Sequence, residues 1–371
     1  MKIFLSCIIC YIAITSCSGD IAVLNESYQS ESPLSLASAS VSDLTVTRNS
    51  LKQSEGPLVT TTLPEGSEIG LTLYTPTDSD PYANYVSVSG RSENLCFINE
   101  NAGASQQWQL KTPEGAAASF YLHAPLGYSV AYYPYRPVAV YAPDAQGIVG
   151  PAMQLQPGTT DYLYGSGRHP VNNRMPVSEI GMRHAMSMIS FVFTHDDKYL
   201  GNCNLQQIKL KNISGSALLA LADGNISNIS VRTDTEVADY DAATHSYAAI
   251  TPLTPVNFKN KPDFGISSPP TEGAILSEPA RFHIFVIPQT GASNLNTNGI
   301  YLELLIDDIL YRIPFPNDRL LADGSKGFCW RKEVNTLYRI TISKNNVRLS
   351  YLLDDFEQGG DSDFEFGRAL R

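Results

Sequence analysis

Nucleophiles, bases and metal ligands are thinly and separately placed in this chain. The six histidines, His123, His169, His184, His195, His245 and His283, each stand apart from the others in sequence. His195-Asp196-Asp197 follows an apolar run and offers the donors of a metal-binding turn, although the solvated end of a strand has the same composition. His184 and His283 lie beside apolar runs, as hydrogen-bonded core or interface histidines do. Asp78-Ser79-Asp80 and Asp361-Ser362-Asp363 put carboxylates two residues apart, but neither continues into the longer, Glu-terminated loop of an EF-hand. There is no G-x-S-x-G elbow, no H-E-x-x-H helix and no Gly-rich phosphate loop ending in Lys-Ser or Lys-Thr. Glycoside hydrolysis needs two carboxylates across a sugar cleft, and no motif marks such a pair. The expectation is a protein that is not an enzyme, with no catalytic residue, no metal and no cofactor.

Cysteine offers different chemistry, and its position decides which. Lys2 is followed by an apolar stretch over residues 3–14 and then by small residues before Cys17, the layout of a secretory signal. The stretch is too short for a bilayer span, which takes about 20 apolar residues. Ile14-Thr15-Ser16-Cys17 resembles the lipobox of bacterial lipoproteins. That resemblance implies cleavage before Cys17, acylation of Cys17 and anchoring in the outer membrane, several acyl chains making the anchor durable. Cys7 and Cys10 leave with the signal, and Cys96, Cys203 and Cys329 then remain without C-x-x-C spacing. They are expected to be mostly buried and to behave as small hydrophobes. The N-x-S sequons at Asn25, Asn212, Asn225 and Asn228 carry no weight in such a protein.

These residues need a scaffold, and composition says which kind. The chain has 371 residues, 43% hydrophobic and 17% charged, with a net charge of −11 and no Lys/Arg-rich run. That suits a folded chain of about two domains and makes nucleic acid a poor partner. Gly and Pro are spread between short apolar runs. Period-two or continuous apolar segments recur at residues 69–74, 85–88, 129–133, 138–141, 187–193, 208–210, 282–287, 301–306 and 338–342, and shorter ones at Leu34/Leu36 and Leu44/Val46. The spacing predicts an all-β chain without a long helix or a repeat. The polar stretch 165–176 offers the best junction. The expected organisation is a lipoprotein signal peptide over 1–16, a tether or leader with a removable strand over 17–48, β-sandwiches over 49–170 and 171–353, and an acidic tail over 354–371. Twenty tyrosines, concentrated at Tyr132-Tyr133-Pro134-Tyr135, fit either sheet edges or an adhesive or sugar-stacking surface.

Several of these segments together resemble the fimbrillin family, the lipoprotein-derived, donor-strand pilins called type V. The resembling pieces are residues 131–135, 161–165, 182–191, 285–289 and 330–342, in that order, over about residues 40 to 350. The resemblance implies two transthyretin-like β-sandwich domains in tandem and a structural role in cell-surface fimbriae, as shaft, tip or accessory subunit, with adhesion to a host or bacterial surface receptor. It implies other fimbrial subunits as partners. It further implies trimming after an Arg, which opens a groove for a neighbour's strand. An empty groove exposes apolar side chains and unpaired backbone, and a donated strand satisfies both.

Arg48, after Leu44-Thr45-Val46-Thr47, matches the cleavage position; an uncut surface charge ending the first strand is equally compatible with the residues. Val347, Leu349, Tyr351 and Leu353 share one face of an extended segment and are donor candidates, or the final strand of their own domain. The tail departs from a plain major pilin, with Asp354, Asp355, Glu357, Asp361, Asp363 and Glu365 and no base among them. The alternative function is a monomeric, glycan-binding surface lipoprotein.

Overall fold

The computed structural model describes residues 31–42, 45–46, 63–87, 89–101, 106–112, 114–158, 160–195, 199–230, 246–247, 256–257, 282–291, 299–315, 319–320, 326–343 and 347–351. Among the described residues the chain is all-β, with no helix.

The largest sheet has seven strands in the order Ser35–Val41, Val177–His184, Leu163–Gly167, Tyr128–Tyr133, Glu68–Tyr74, Leu95–Asn99, Trp108–Lys111. Its neighbours are antiparallel except for Ser35–Val41, which lies parallel to Val177–His184. A four-stranded sheet, Ile226–Ser227, Ala217–Ala220, Val149–Leu155 and Val140–Pro143, covers part of it. Further along the chain come two five-stranded sheets. One orders Phe282–Val286, Ser187–His195, Val334–Ile342 and Val347–Tyr351, with Thr45–Val46 also on Val334–Ile342. The other orders Ser246–Tyr247, Asn204–Lys211, Tyr301–Ile306 and Ile309–Pro314, with Val256–Asn257 also on Asn204–Lys211.

Side chains alternate between cores because the strand period is two. Along Tyr128–Tyr133, Ala131 enters the core that holds Leu36, Leu71, Phe97 and Trp108, while Val130 and Tyr132 point to the opposite side. There they meet Met153 and Leu155 of the four-stranded sheet, together with Met186, Met188 and Phe285. A separate core is built from both five-stranded sheets, around Phe191, Ile208, Leu304, Trp330 and Tyr338. Its indole is not orphaned, since Trp330 Nε1 donates to the Tyr338 hydroxyl at 2.9 Å.

One local expectation is revised. Of the segment 85–88, the described residues 85–87 do not form a strand. Tyr85 is drawn into the core and its hydroxyl accepts the His123 N–H at 2.7 Å, while Val86 stands 86% exposed, so tertiary bonding replaces a ladder. Residues 165–176 begin inside the strand Leu163–Gly167, which pairs Leu163 with His184 and Gly167 with Ile180. The chain crosses to the next sheet at Ala185–Met186, immediately before Ser187–His195.

Candidate functional site

The strand Ser35–Val41 lies at one end of the seven-stranded order, and burial shows how this segment is held. Leu34 and Leu36 are 6% and 4% exposed, Ala39 is 1% exposed, and Val41 packs against the same core. The inward set is Leu34, Leu36, Ala39, Val41, with an extra residue in the middle. That skip coincides with a register shift at Ser178/Glu179, a bulge that puts Leu36 against Ser178 and Ser38 against Glu179. At its start the segment is tied by Leu34 N–H donating to Phe120 O at 2.7 Å and Ser35 N–H to Pro176 O at 2.9 Å. At its end Ser42 N–H donates to Met182 O at 3.0 Å.

Beyond that end lies a cleft of about 470 Å³ between Ser40–Ser42, Arg168, Arg183 and Leu221. Arg168 reaches Ser40 Oγ at 3.2 Å and Glu179 at 3.7 Å. Arg183 lies over the Tyr164 ring at 5.1 Å, and Lys332 Nζ donates to the Tyr164 hydroxyl at 2.8 Å. The Lys332 bond ties the later sheets to the earlier one beside the groove.

The same leader touches the second region of the molecule. Thr45 and Val46 pair in parallel with Val334 and Asn335. Ser187–His195 occupies the other side of Val334–Ile342, from Asn335 to Ile342. Thr45–Val46 therefore lies on the same edge as Val347–Tyr351, which pairs antiparallel from Tyr338 to Ile342. Leader and C-terminal strand sit end to end on one edge.

The crossing between sheets buries a hydrogen-bonded polar pair. His184 Nδ1 and Asp161 Oδ1 are 3.0 Å apart, with both side chains at most 2% exposed. Burial, and then the Asp161 charge, pushes the Tyr133 hydroxyl above its ordinary value.

No protein-family model matches the chain, and no curated protein matches it. Among solved structures it is similar to a provisionally named cell adhesion protein from Bacteroides ovatus, at 14% identity and a TM-score of 0.48, covering 87% of this chain and 96% of that one. A provisionally named cell adhesion protein from Bacteroides uniformis gives 14% identity and a TM-score of 0.46, over 79% of this chain and 93% of that one. A C-terminally truncated tip fimbrial protein from Porphyromonas gingivalis gives 7% identity and a TM-score of 0.34, over 77% and 93%.

Of the residues singled out in the sequence, Cys17, Arg48 and Leu353 lie outside the described residues, as do Asp196, Asp197 and the acidic tail. Val347 and Leu349 are 0% and 1% exposed and face the core of the five-stranded sheets; Tyr351 ends that strand. Cys96 and Cys203 are buried and Cys329 is half-buried, with burial pushing the Cys96 thiol up to about 11. No group of three His, Cys, Asp or Glu able to hold a metal occurs among the described residues. Gln106 and Arg168 carry no motif or periodic signal in the sequence. Gln106 sits in a polar run before Trp108 that carries no periodic signal, and its partner Ala39 is distant in sequence.

Proposed function

We propose that the chain is a subunit of cell-surface fimbriae, in the shaft, at the tip or as an accessory, that assembles by strand exchange and serves adhesion. In this reading it is exported as a lipoprotein anchored at Cys17 in the outer membrane and is cut after Arg48. It carries two transthyretin-like β-sandwiches, acts without catalysis, and takes other fimbrial subunits as partners. One observation carries the reading: a single leader segment lies at the edge of two sheets, as Ser35–Val41 on Val177–His184 and as Thr45–Val46 on Val334–Ile342. Removing it would uncover the places of Leu34, Leu36 and Ala39 together with unpaired backbone, which an extended strand from another copy restores. Val347, Leu349, Tyr351 and Leu353 are the donor candidates.

The experiment is trypsin treatment of the mature chain followed by electron microscopy and unheated SDS gels. The cut chain is expected to polymerise. A truncation ending at Ser343 should be cut equally and stay monomeric, and Arg48→Ala should resist. Normal polymerisation of Arg48→Ala under the same protease would refute the switch, and polymerisation of the truncation would place the donor elsewhere.

The alternative, a monomeric glycan-binding lipoprotein, is favoured by one surface. Tyr128, 41% exposed, stacks on Tyr74 at 5.9 Å and 28°, with Tyr82 edge-on to Tyr74 at 5.5 Å. Such a platform suits a sugar face. Sugar-dependent thermal stabilisation, abolished by Tyr128→Ala, would support it.

A further inference from the structure

The groove has a second wall, and one side chain makes it. On the side away from Val177–His184, Ala39 N–H donates to Gln106 Oε1 at 2.8 Å, and Gln106 Nε2 donates to Ala39 O at 3.1 Å. Trp108 Nε1 donates to the same Oε1 at 3.0 Å. Those partners fix the carboxamide orientation. A backbone N–H and an indole N–H can only donate, so the oxygen must face both, and the NH₂ is left for the carbonyl.

A parallel strand directs the N–H and C=O of one residue to the same side and those of the next to the other. Ala39 therefore turns both groups away from Val177–His184, where an edge strand would leave them unpaired. A carboxamide carries the same donor and acceptor as a peptide unit, and here it occupies the position of a neighbouring strand.

We propose that Gln106 is a backbone clamp for whichever extended segment fills this groove, the chain's own leader first and then a strand from a second copy. The second half rests on the strand-exchange reading; the first does not. Because the clamp bonds only to the main chain, it is blind to the occupant's side-chain chemistry. Selection falls to spacing. The inward positions run large, large, small, with one extra residue before the small one, as Leu34, Leu36 and Ala39 do, and the clamp closes on the small residue, which is 1% exposed.

The test is residue-resolved hydrogen exchange on the full mature chain. Gln106→Ala should speed exchange of the Ala39 amide about tenfold or more, the worth of one net hydrogen bond of about 1.4 kcal/mol. Ser38 and Ser40, turned toward Val177–His184, should change far less. Gln106→Met keeps the length of the side chain and removes both bonds to Ala39, so it should speed Ala39 exchange as Gln106→Ala does and keeps the test decisive if Gln106→Ala folds poorly. Exposed Gln107→Ala is the control and should change nothing. An Ala39 amide that exchanges at the parent rate in folded Gln106→Ala or Gln106→Met overturns the clamp.

Trypsin-cut chains then test the second half. Polymers of cut Gln106→Ala should dissociate about tenfold faster than polymers of the cut parent, for the same lost bond. Equal dissociation rates would restrict the clamp to the chain's own leader and overturn its role toward a second copy. If the cut parent forms no polymer, the strand-exchange reading falls and takes that role with it, while the exchange data still decide the clamp on Ala39.

Discussion

Leu36→Ala measures how much the leader contributes to the fold it is proposed to leave. Leu36 is 4% exposed in a core with Leu71, Phe97 and Trp108. Truncating a buried leucine to alanine costs about 2–5 kcal/mol, depending on how far the site collapses. An edge strand relaxes more readily than a central one, which puts this site at about 2–3 kcal/mol, roughly a thirtyfold to 150-fold change in the unfolding equilibrium. With a urea slope of about 3 kcal/mol/M, the midpoint falls by about 0.7–1 M. The chain has two tryptophans, one in each large core: Trp108 beside Leu36, and Trp330 among the five-stranded sheets. In a Trp330→Phe background, fluorescence reports the core of Leu36; in a Trp108→Phe background, it reports the other. Leu36→Ala should move the Trp108 transition by the stated amount; a Trp330 transition left in place would mark two separately folding units, and one that moves with it a single cooperative unit. Ser35→Ala, exposed on the same strand, should stay within about 0.5 kcal/mol of its parent. If Leu36→Ala also stays within that margin, or if Ser35→Ala costs as much, the leader is not an integral core strand and the groove argument fails.

Three further outcomes are expected. Asp307 accepts the Tyr199 hydroxyl at 2.7 Å and the Cys203 and Asn204 N–H groups at 2.9 Å each. Burial pushes its carboxyl up, but these hydrogen bonds together outweigh burial and hold it below the ordinary value. The bonds to the charged form therefore stabilise the fold above the unfolded carboxyl value of about 4 and are lost as pH falls through the lower folded value. Asp307→Asn should cost about 1–2 kcal/mol at neutral pH, since the carboxylate is partly open to water, and its deficit in urea melts should shrink below about pH 4; a deficit that grows with acid would contradict the assignment. Gly165→Ala would place a Cβ 1.9 Å from Gly181 O and 2.9 Å from Met182 Cα, both backbone atoms of the paired strand. It should cost about 3 kcal/mol or more and lower the yield of folded protein, whereas Gly181→Ala, whose Cβ meets nothing within 4 Å, should be mild by the same melt. Cys17→Ala should abolish fatty-acid labelling and release the protein from the membrane fraction, and continued labelling would refute lipidation at this residue.

What the sequence displays follows from how far each signal reaches. Period-two runs at 69–74, 187–193 and 301–306 appear as Glu68–Tyr74, Ser187–His195 and Tyr301–Ile306, because one local pattern suffices when one face meets a core. The weak Leu34/Leu36 alternation is a strand as well, but its parallel partner is fixed by residues more than a hundred positions later, beyond any local pattern. The bulge at Ser178/Glu179 breaks the alternation that would have shown Ala39 and Val41 on the same face as Leu36. The alternation that begins at Tyr85 does not make a strand of residues 85–87, since the Tyr85 hydroxyl finds His123 instead of a ladder. Gln106 was invisible for the plainest reason: a glutamine beside a tryptophan in a polar run has no preferred neighbour until the sheet has curled round to meet it.

The position of Ser35–Val41 in the order of folding also bears on the proposed exchange of this strand. Within the seven-stranded sheet, the other described pairs are antiparallel, and their pattern of neighbours is complete without the leader. Ser35–Val41 joins by a parallel pairing, slightly weaker per residue than an antiparallel one. Its Ser40 meets Ile180 across 140 residues of chain. Loop-closure entropy places such a contact late, after Leu163–Gly167 and Val177–His184 have paired. A strand that docks last, at an edge, against a finished sheet is bound much as a peptide ligand would be, and Gln106 supplies the missing side of its hydrogen bonding from outside the leader. In the proposed exchange, removal would leave a preformed groove instead of a collapsed core, the state from which an incoming strand binds without refolding its host.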